Sequence, residues 1–147
     1  EVQVNLHLNR ASKWLDVDSH LPYEGKVVLK IKDAPLVAVR IPAWTERNQV
    51  TCQVNGKKRD PLWAESYIRV EGLTQGDEIT VEFPMREFTV FKEIGERTYK
   101  LTVKGNTVIN IDPEGTIYPL YQREHYRNNE APRKKVTRFV PADTISW

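Results

Sequence analysis

Apolar and polar residues alternate with a period of two along most of this chain, and that pattern limits what it can fold into more than any other feature. The runs are Val2-Val4-Leu6-Leu8, Val27-Leu29-Ile31, Val37-Val39-Ile41, Val50-Cys52-Val54, Ile79-Val81-Phe83, Phe88-Val90, Tyr99-Leu101-Val103 and Val108 to Ile111. Successive side chains of a strand point to opposite faces, so each run reads as a half-buried strand. Turn signals separate them: Tyr23-Glu24-Gly25-Lys26, Asp33-Ala34-Pro35, Asn55-Gly56-Lys57, Gln75-Gly76-Asp77-Glu78 and Lys104-Gly105-Asn106. Each supplies Gly, Asn, Asp or Pro where the backbone needs an unusual or a fixed φ, and Asn55-Gly56 suits a type I′ hairpin. Short strands punctuated this regularly predict an all-β fold, an antiparallel β-sandwich of jelly-roll or immunoglobulin-like kind. Helix is confined to short turns, with Asn9 to Trp14 the expected place, where Ser12 and Lys13 interrupt the alternation.

The 147 residues suffice for one domain with a real core, or for two small β units sharing an interface. Residues 1–86 form the expected sandwich, and residues 87–147 the further strands that complete or extend it, followed by an extended C-terminal tail. From Asp112 the alternation fades, and prolines, Tyr118, Tyr121 and Tyr126 and a basic run take its place. So many aromatics do not suit a freely disordered linker, so Thr116 to Tyr126 is expected to pack on the sandwich or on a neighbouring domain.

Charge excludes some functions. Lys and Arg number 22 against 20 Asp and Glu, a net charge of +2, which gives no field of the kind that draws nucleic acid or a membrane surface. The run Arg133-Lys134-Lys135 with Arg138 is short, lies near a chain end and comes with no nucleic-acid fold signature, so it reads as a solvated or interdomain face. No apolar run approaches the roughly 20 residues that span a bilayer. Neither nucleic acid nor membrane is an expected partner. The N-terminus, EVQVNLHLNRASKW, alternates instead of showing a basic and then an apolar block, so it reads as the inside of a strand in a longer parent, not as a signal peptide.

The residue types that carry chemistry are present but not arranged for it. His7, His20 and His125 lack the spacing of paired metal ligands, so no metal site and no cofactor is expected. His7 falls out of phase with Leu6 and Leu8, at a solvent-side or interface position. The lone Cys52 excludes an internal disulfide and leaves the compartment open; between Val50 and Val54 it reads as a small core hydrophobe instead of a thiolate. Glu24, Glu65, Glu82 and Asp77 have turn or solvated-face explanations in place of an acid and base pair across a cleft. No catalytic residue is therefore assigned. The aromatics Trp44, Trp63, Tyr118, Tyr121 and Tyr126 are the candidate carbohydrate-binding residues, because sugar rings stack their C–H faces on exposed rings; the competing reading is that they fill a core or an interface.

The order of several short pieces also carries information. VVLKIKDAPLVAVRIPAW, QVNGK and SYIRVEGLTQGDEITVEFPM resemble the β-sandwich that follows the catalytic helical barrel in glycoside hydrolase family 127, the β-L-arabinofuranosidase family long labelled DUF1680. The matching elements are Arg40-Ile41-Pro42-Ala43-Trp44, Val54-Asn55-Gly56, Tyr67-Ile68-Arg69 and Gly76-Asp77 leading to Phe83-Pro84-Met85, within roughly Val2 to Met85. Beyond Met85 the sequence departs from the family pattern. The resemblance implies that the carboxylate acid/base, the cysteine nucleophile and the zinc-binding cysteines belong to the barrel, and Cys52 does not match that nucleophile.

The expected function is a non-catalytic accessory domain of a bacterial barrel-type glycoside hydrolase in carbohydrate metabolism, with the catalytic barrel of the parent chain as its partner. The alternative is a carbohydrate-binding module whose exposed aromatics hold a plant-derived carbohydrate. An enzyme in its own right comes third.

Overall fold

The computed structural model describes residues 1–114 and 123–132. The described chain is all-β apart from two short 3-10 turns, Arg47–Gln49 and Glu124–Arg127. Thirteen strands follow in order: β1 (Val2–Val4), β2 (Arg10–Ala11), β3 (Leu15–Ser19), β4 (Lys26–Ile31), β5 (Leu36–Arg40), β6 (Thr51–Val54), β7 (Lys57–Arg59), β8 (Leu62–Ala64), β9 (Tyr67–Glu71), β10 (Glu78–Glu82), β11 (Glu87–Ile94), β12 (Arg97–Lys104) and β13 (Thr107–Asp112). They form sheets in the order β1-β5-β9-β8, β2-β3-β4-β10-β6-β7 and β11-β12-β13.

The first two sheets make the sandwich. Val27, Leu29, Ile79 and Val81 of the larger sheet and Val37, Val39, Ile68 and Val70 of the smaller one belong to a single buried cluster. The predicted alternation explains this, since every second residue of these strands faces the opposite sheet. Cys52, opposite Val81 in register, is buried in that cluster, and burial pushes its thiol pKa up. The hairpin at Asn55-Gly56 forms with both residues at positive φ, as a type I′ turn requires. Asn55 also joins it to a second turn: its Nδ2 donates to Asp77 Oδ1 at 2.7 Å, and its Oδ1 accepts from the Glu78 amide at 2.9 Å.

The strands differ from the sequence expectation in three places. Alternation predicts a strand through Leu8, but β1 stops at Val4 and leaves Leu6 and Leu8 at the surface. Its partner is the reason. β1 pairs with β5 in parallel, the pairing of Val4 with Val39 would set Asn5, Leu6 and His7 level with Arg40, Ile41 and Pro42, and proline has no N–H to extend the ladder. Second, Asn9 to Trp14 holds the short strand β2 and a serine-closed turn in place of a helical turn. Ser12 Oγ accepts from the Leu15 amide at 3.1 Å and donates to the Leu15 carbonyl at 2.6 Å, which competes with helix. Third, β3, β7, β8 and β9 are absent from the alternation runs, because LDVDS, KKR, LWA and YIRVE hold too few alternating apolar residues to register.

β11, β12 and β13 form an antiparallel sheet of their own, with a register shift between Thr102 and Val103. It meets the sandwich at the turn joining β12 to β13, where Trp44 Nε1 donates to Asn106 Oδ1 at 2.8 Å and Gly105 lies close against the Met85 and Trp44 side chains. No described helix is long and apolar enough to cross a membrane.

One glycine is fixed by close approach. At Gly25 the Phe83 amide donates to the Gly25 carbonyl at 2.8 Å, and a Cβ on Gly25 runs into the Phe83 carbonyl oxygen. Gly25→Ala should therefore destabilise the chain by about 1–3 kcal/mol, the usual cost of forcing atoms into a packed site. A denaturant titration checks this, and an unfolding midpoint equal to that of wild type would show that the close approach costs nothing.

Candidate functional site

A groove of about 550 Å³ lies where the sandwich meets the three-stranded sheet, lined by Leu6, His7, Leu8, Arg40, Trp44 and Asn106 among others. The early end of β1 produces it, because the chain leaves the sheet at Asn5, held by the Tyr67 hydroxyl donating to Asn5 Oδ1 at 2.8 Å. Leu6 and Leu8 are then 68% and 63% exposed. Between them His7 turns inward, its ring centroid 5.8 Å from that of Phe83. Burial holds the His7 pKa below its ordinary value, against the opposing effect of a hydrogen bond with the Arg40 backbone, so the ring is neutral at neutral pH. Its Nε2 is buried without a hydrogen-bond partner among the described residues.

The candidate aromatics occupy separate places. Trp44 is partly buried against the core and meets Phe83 edge to face with centroids 5.7 Å apart. Trp63 is also partly buried against the core, and the Arg47 guanidinium lies over its ring at 4.9 Å. Tyr126 meets Tyr23 edge to face at 5.2 Å and His125 at 4.3 Å. Tyr118 and Tyr121 lie outside the described residues, as do Arg133, Lys134, Lys135 and Arg138. The acidic residues singled out in the sequence have structural attachments, through the carboxylate at Asp77 and Glu82 and through the backbone at Glu65. Asp77 Oδ2 accepts from the Thr74 amide at 2.8 Å, Glu82 lies 3.5 Å from the Lys26 amine, and Glu65 sits at positive φ with its carbonyl accepting from Arg47 at 2.6 Å. Among the described residues no three His, Cys, Asp or Glu side chains converge to hold a metal ion.

A feature that sequence reasoning missed is the anchoring of segment 123–132. Lys104 is only 2% exposed, and its Nζ donates to the carbonyls of Tyr126 and Asn128, each at 3.1 Å, of Arg127 at 3.4 Å, and to Asn129 Oδ1 at 3.1 Å. Desolvation lowers its pKa, opposed by the charge of Glu87. The other anchor is Glu24 of the sandwich, whose Oε1 accepts from the Ala131 amide at 2.9 Å while Oε2 lies 3.0 Å from His20 Nδ1. The segment thus bridges the three-stranded sheet and the sandwich. A lysine beside a Gly-Asn turn gives no sequence signal of this, because its acceptors lie more than 20 residues further on and are mostly backbone.

The Ala131 amide, and after it the charge of His20, hold the Glu24 pKa below the ordinary carboxylate value against the effect of its burial. The folded chain therefore binds this proton less readily than the unfolded chain. The contact's contribution is complete at neutral pH and is lost as pH falls through the unfolded carboxylate value toward the lower folded one. Glu24→Ala should lower the melting temperature at neutral pH and make it fall less steeply on acidification. Parallel acid-side slopes for variant and wild type would show that Glu24 has no such role.

A family model described as the β-L-arabinofuranosidase GH127 middle domain matches residues 2–85 of this chain. Among solved structures, a GH127 β-L-arabinofuranosidase from Geobacillus stearothermophilus T6 shares 23% identity, with 64% of this chain and 16% of that chain covered and a TM-score of 0.50. A glycoside hydrolase shares 22% identity over 64% of this chain and 17% of its own, with a TM-score of 0.49. A GH127 β-arabinofuranosidase shares 20% identity over 64% of this chain and 18% of its own, with a TM-score of 0.47. At 23% identity the likeness to the first is one of fold alone, and this chain spans less than a fifth of the length of each. No curated protein matches.

Proposed function

The chain belongs to the GH127 middle-domain family, whose model covers more than half of it, and from that membership we propose that it is a non-catalytic accessory β-sandwich bracing the catalytic helical barrel of a longer glycoside hydrolase. That parent acts on β-L-arabinofuranosides or a close relative of them. Family membership carries the reading, and the surface supports it. A domain that braces another needs an apolar patch to bury, and Leu6 and Leu8 stand exposed beside Trp44 at one groove. Burying either leucine fully against a partner contributes about 1.5–3 kcal/mol.

The carboxylates and the cysteine of the described chain support the same reading. Cys52 is sealed in the core with a raised pKa, the opposite of what a nucleophilic thiolate needs. Asp77 and Glu24 spend their oxygens on backbone amides and side chains of neighbouring turns. The carbohydrate-binding alternative built on Trp44, Trp63 and Tyr126 draws less support, because each of those rings is occupied by an internal neighbour.

Two assays test the proposal together. The isolated chain should release no nitrophenol from an aryl β-L-arabinofuranoside above buffer background. Leu6→Asp with Leu8→Asp should leave the melting temperature of the isolated chain near that of wild type while destabilising the full-length protein and reducing its turnover. Turnover by the isolated chain that disappears on mutating one of its own carboxylates, or a full-length protein indifferent to the double substitution, would overturn the bracing role.

A further inference from the structure

The three-stranded sheet carries a second surface, outside the residues that match the family model. In register, Phe91 of β11 lies beside Lys100 of β12, and Lys100 beside Asp112 of β13. The adjoining row is Thr89, Thr102 and Asn110. Residues directly opposite in antiparallel strands share a face, so these six side chains stand on one side of the sheet. Phe91 is 66% exposed there. Next to it a groove of about 460 Å³ is lined by Lys100, Thr102, Asn110, Asp112, Glu114 and Arg127. Arg127 is brought to this groove by the segment that Lys104 anchors, since the Arg127 carbonyl is one of the acceptors around the buried ammonium.

From this juxtaposition we infer that the open face of the β11-β12-β13 sheet binds a neutral carbohydrate, with a sugar ring on Phe91 and its hydroxyls in the adjoining groove. Three properties select that ligand class. Among the described lining residues Lys100 and Arg127 are matched by Asp112 and Glu114, and Arg127 Nε also lies 4.0 Å from Glu87 Oε2, so these residues carry no positive excess with which to favour a phosphate or a polyanion. Hydroxyl groups both donate and accept, and the lining offers donors in Lys100, Arg127 and Asn110 beside acceptors in Asp112, Glu114 and Thr102. An exposed aromatic face provides the apolar half of the contact, the place where an axial or ring C–H patch loses its water. Lys100 and Asp112 stand directly opposite each other and Asn110 stands in the next row of the same face, so one ligand can reach the polar atoms of all three. The volume suits a mono- or disaccharide unit of a longer chain. Given the arabinofuranoside-directed parent proposed above, on which this assignment of the sugar rests, the occupant is an arabinofuranosyl oligosaccharide.

The test is migration of the chain in native gels cast with and without soluble arabinan, alongside a neutral galactan and an acidic polygalacturonate. Wild type should be retarded by arabinan, and Phe91→Ala should weaken that retardation by roughly five- to tenfold, the usual effect of losing one stacked ring. Ile94→Ala, also exposed on β11 but on the opposite face, should behave as wild type. Circular dichroism melts of the three proteins verify that the exposed substitutions leave the fold intact. Retardation by galactan alone, lost in Phe91→Ala, upholds the surface and overturns the arabinofuranosyl assignment, leaving the bracing role untouched. No retardation by any of the three, retardation indifferent to Phe91, or retardation by polygalacturonate alone overturns the inference.

Discussion

Two sheets of valine, leucine and isoleucine pressed face to face are what the rest of this chain depends on. Strands β4 and β10 of one sheet and β5 and β9 of the other bury Val27, Leu29, Ile79, Val81, Val37, Val39, Ile68 and Val70 in one cluster. Removing such faces from water is the dominant favourable contribution to a fold of this kind. Everything at the edges is a means of delivering those strands in register. Gly25 lets the chain pass against Phe83, Asn55 closes one hairpin and ties it to the Asp77 turn, and Ser12 turns β2 back into β3. Because the inner faces are committed to each other, the surfaces left for function are the ones the core cannot use.

Those surfaces arise where regular pairing stops. β1 ends early because its parallel partner runs into Pro42, and the released residues Leu6 and Leu8 form one wall of the groove beside Trp44. The three-stranded sheet is attached at one turn, through Asn106 on Trp44 and Gly105 against Met85, and by segment 123–132 bridging Lys104 and Glu24. A buried ammonium is costly unless its donors are used, and here carbonyls and an amide oxygen surround it. The cost of burying Lys104 thereby becomes a positional constraint. The segment has to sit where its carbonyls can reach that amine, and Arg127 is placed accordingly.

How far the sequence foretold this depends on the kind of interaction. The sandwich was legible because hydrophobic period and turn chemistry are local, and positions such as Val27-Leu29-Ile31 and Asn55-Gly56 reveal themselves within a few residues. Cys52 was placed in the core on the same grounds. The parallel pairing of β1 was not legible, since it joins residues more than 30 apart, and alternation continues through Leu8 although the strand does not. Strand β3 escaped because Leu15 and Val17 are too few to establish a period. The Lys104 cage escaped for a different reason: lysine is ordinarily solvated, and backbone carbonyls carry no residue identity that a sequence pattern could register. The exposure of Phe91 likewise depends on what the fold leaves uncovered.

Family membership and the apolar groove together describe a domain whose partner is another part of a longer chain. The most direct measurement is hydrogen–deuterium exchange of this chain alone and of the same residues within the full-length protein. The bracing account predicts added protection around Asn5 to Leu8 and Pro42 to Trp44, with little change at the Asn55-Gly56 hairpin on the far strands β6 and β7. Equal exchange at Asn5 to Leu8 in both contexts would contradict it.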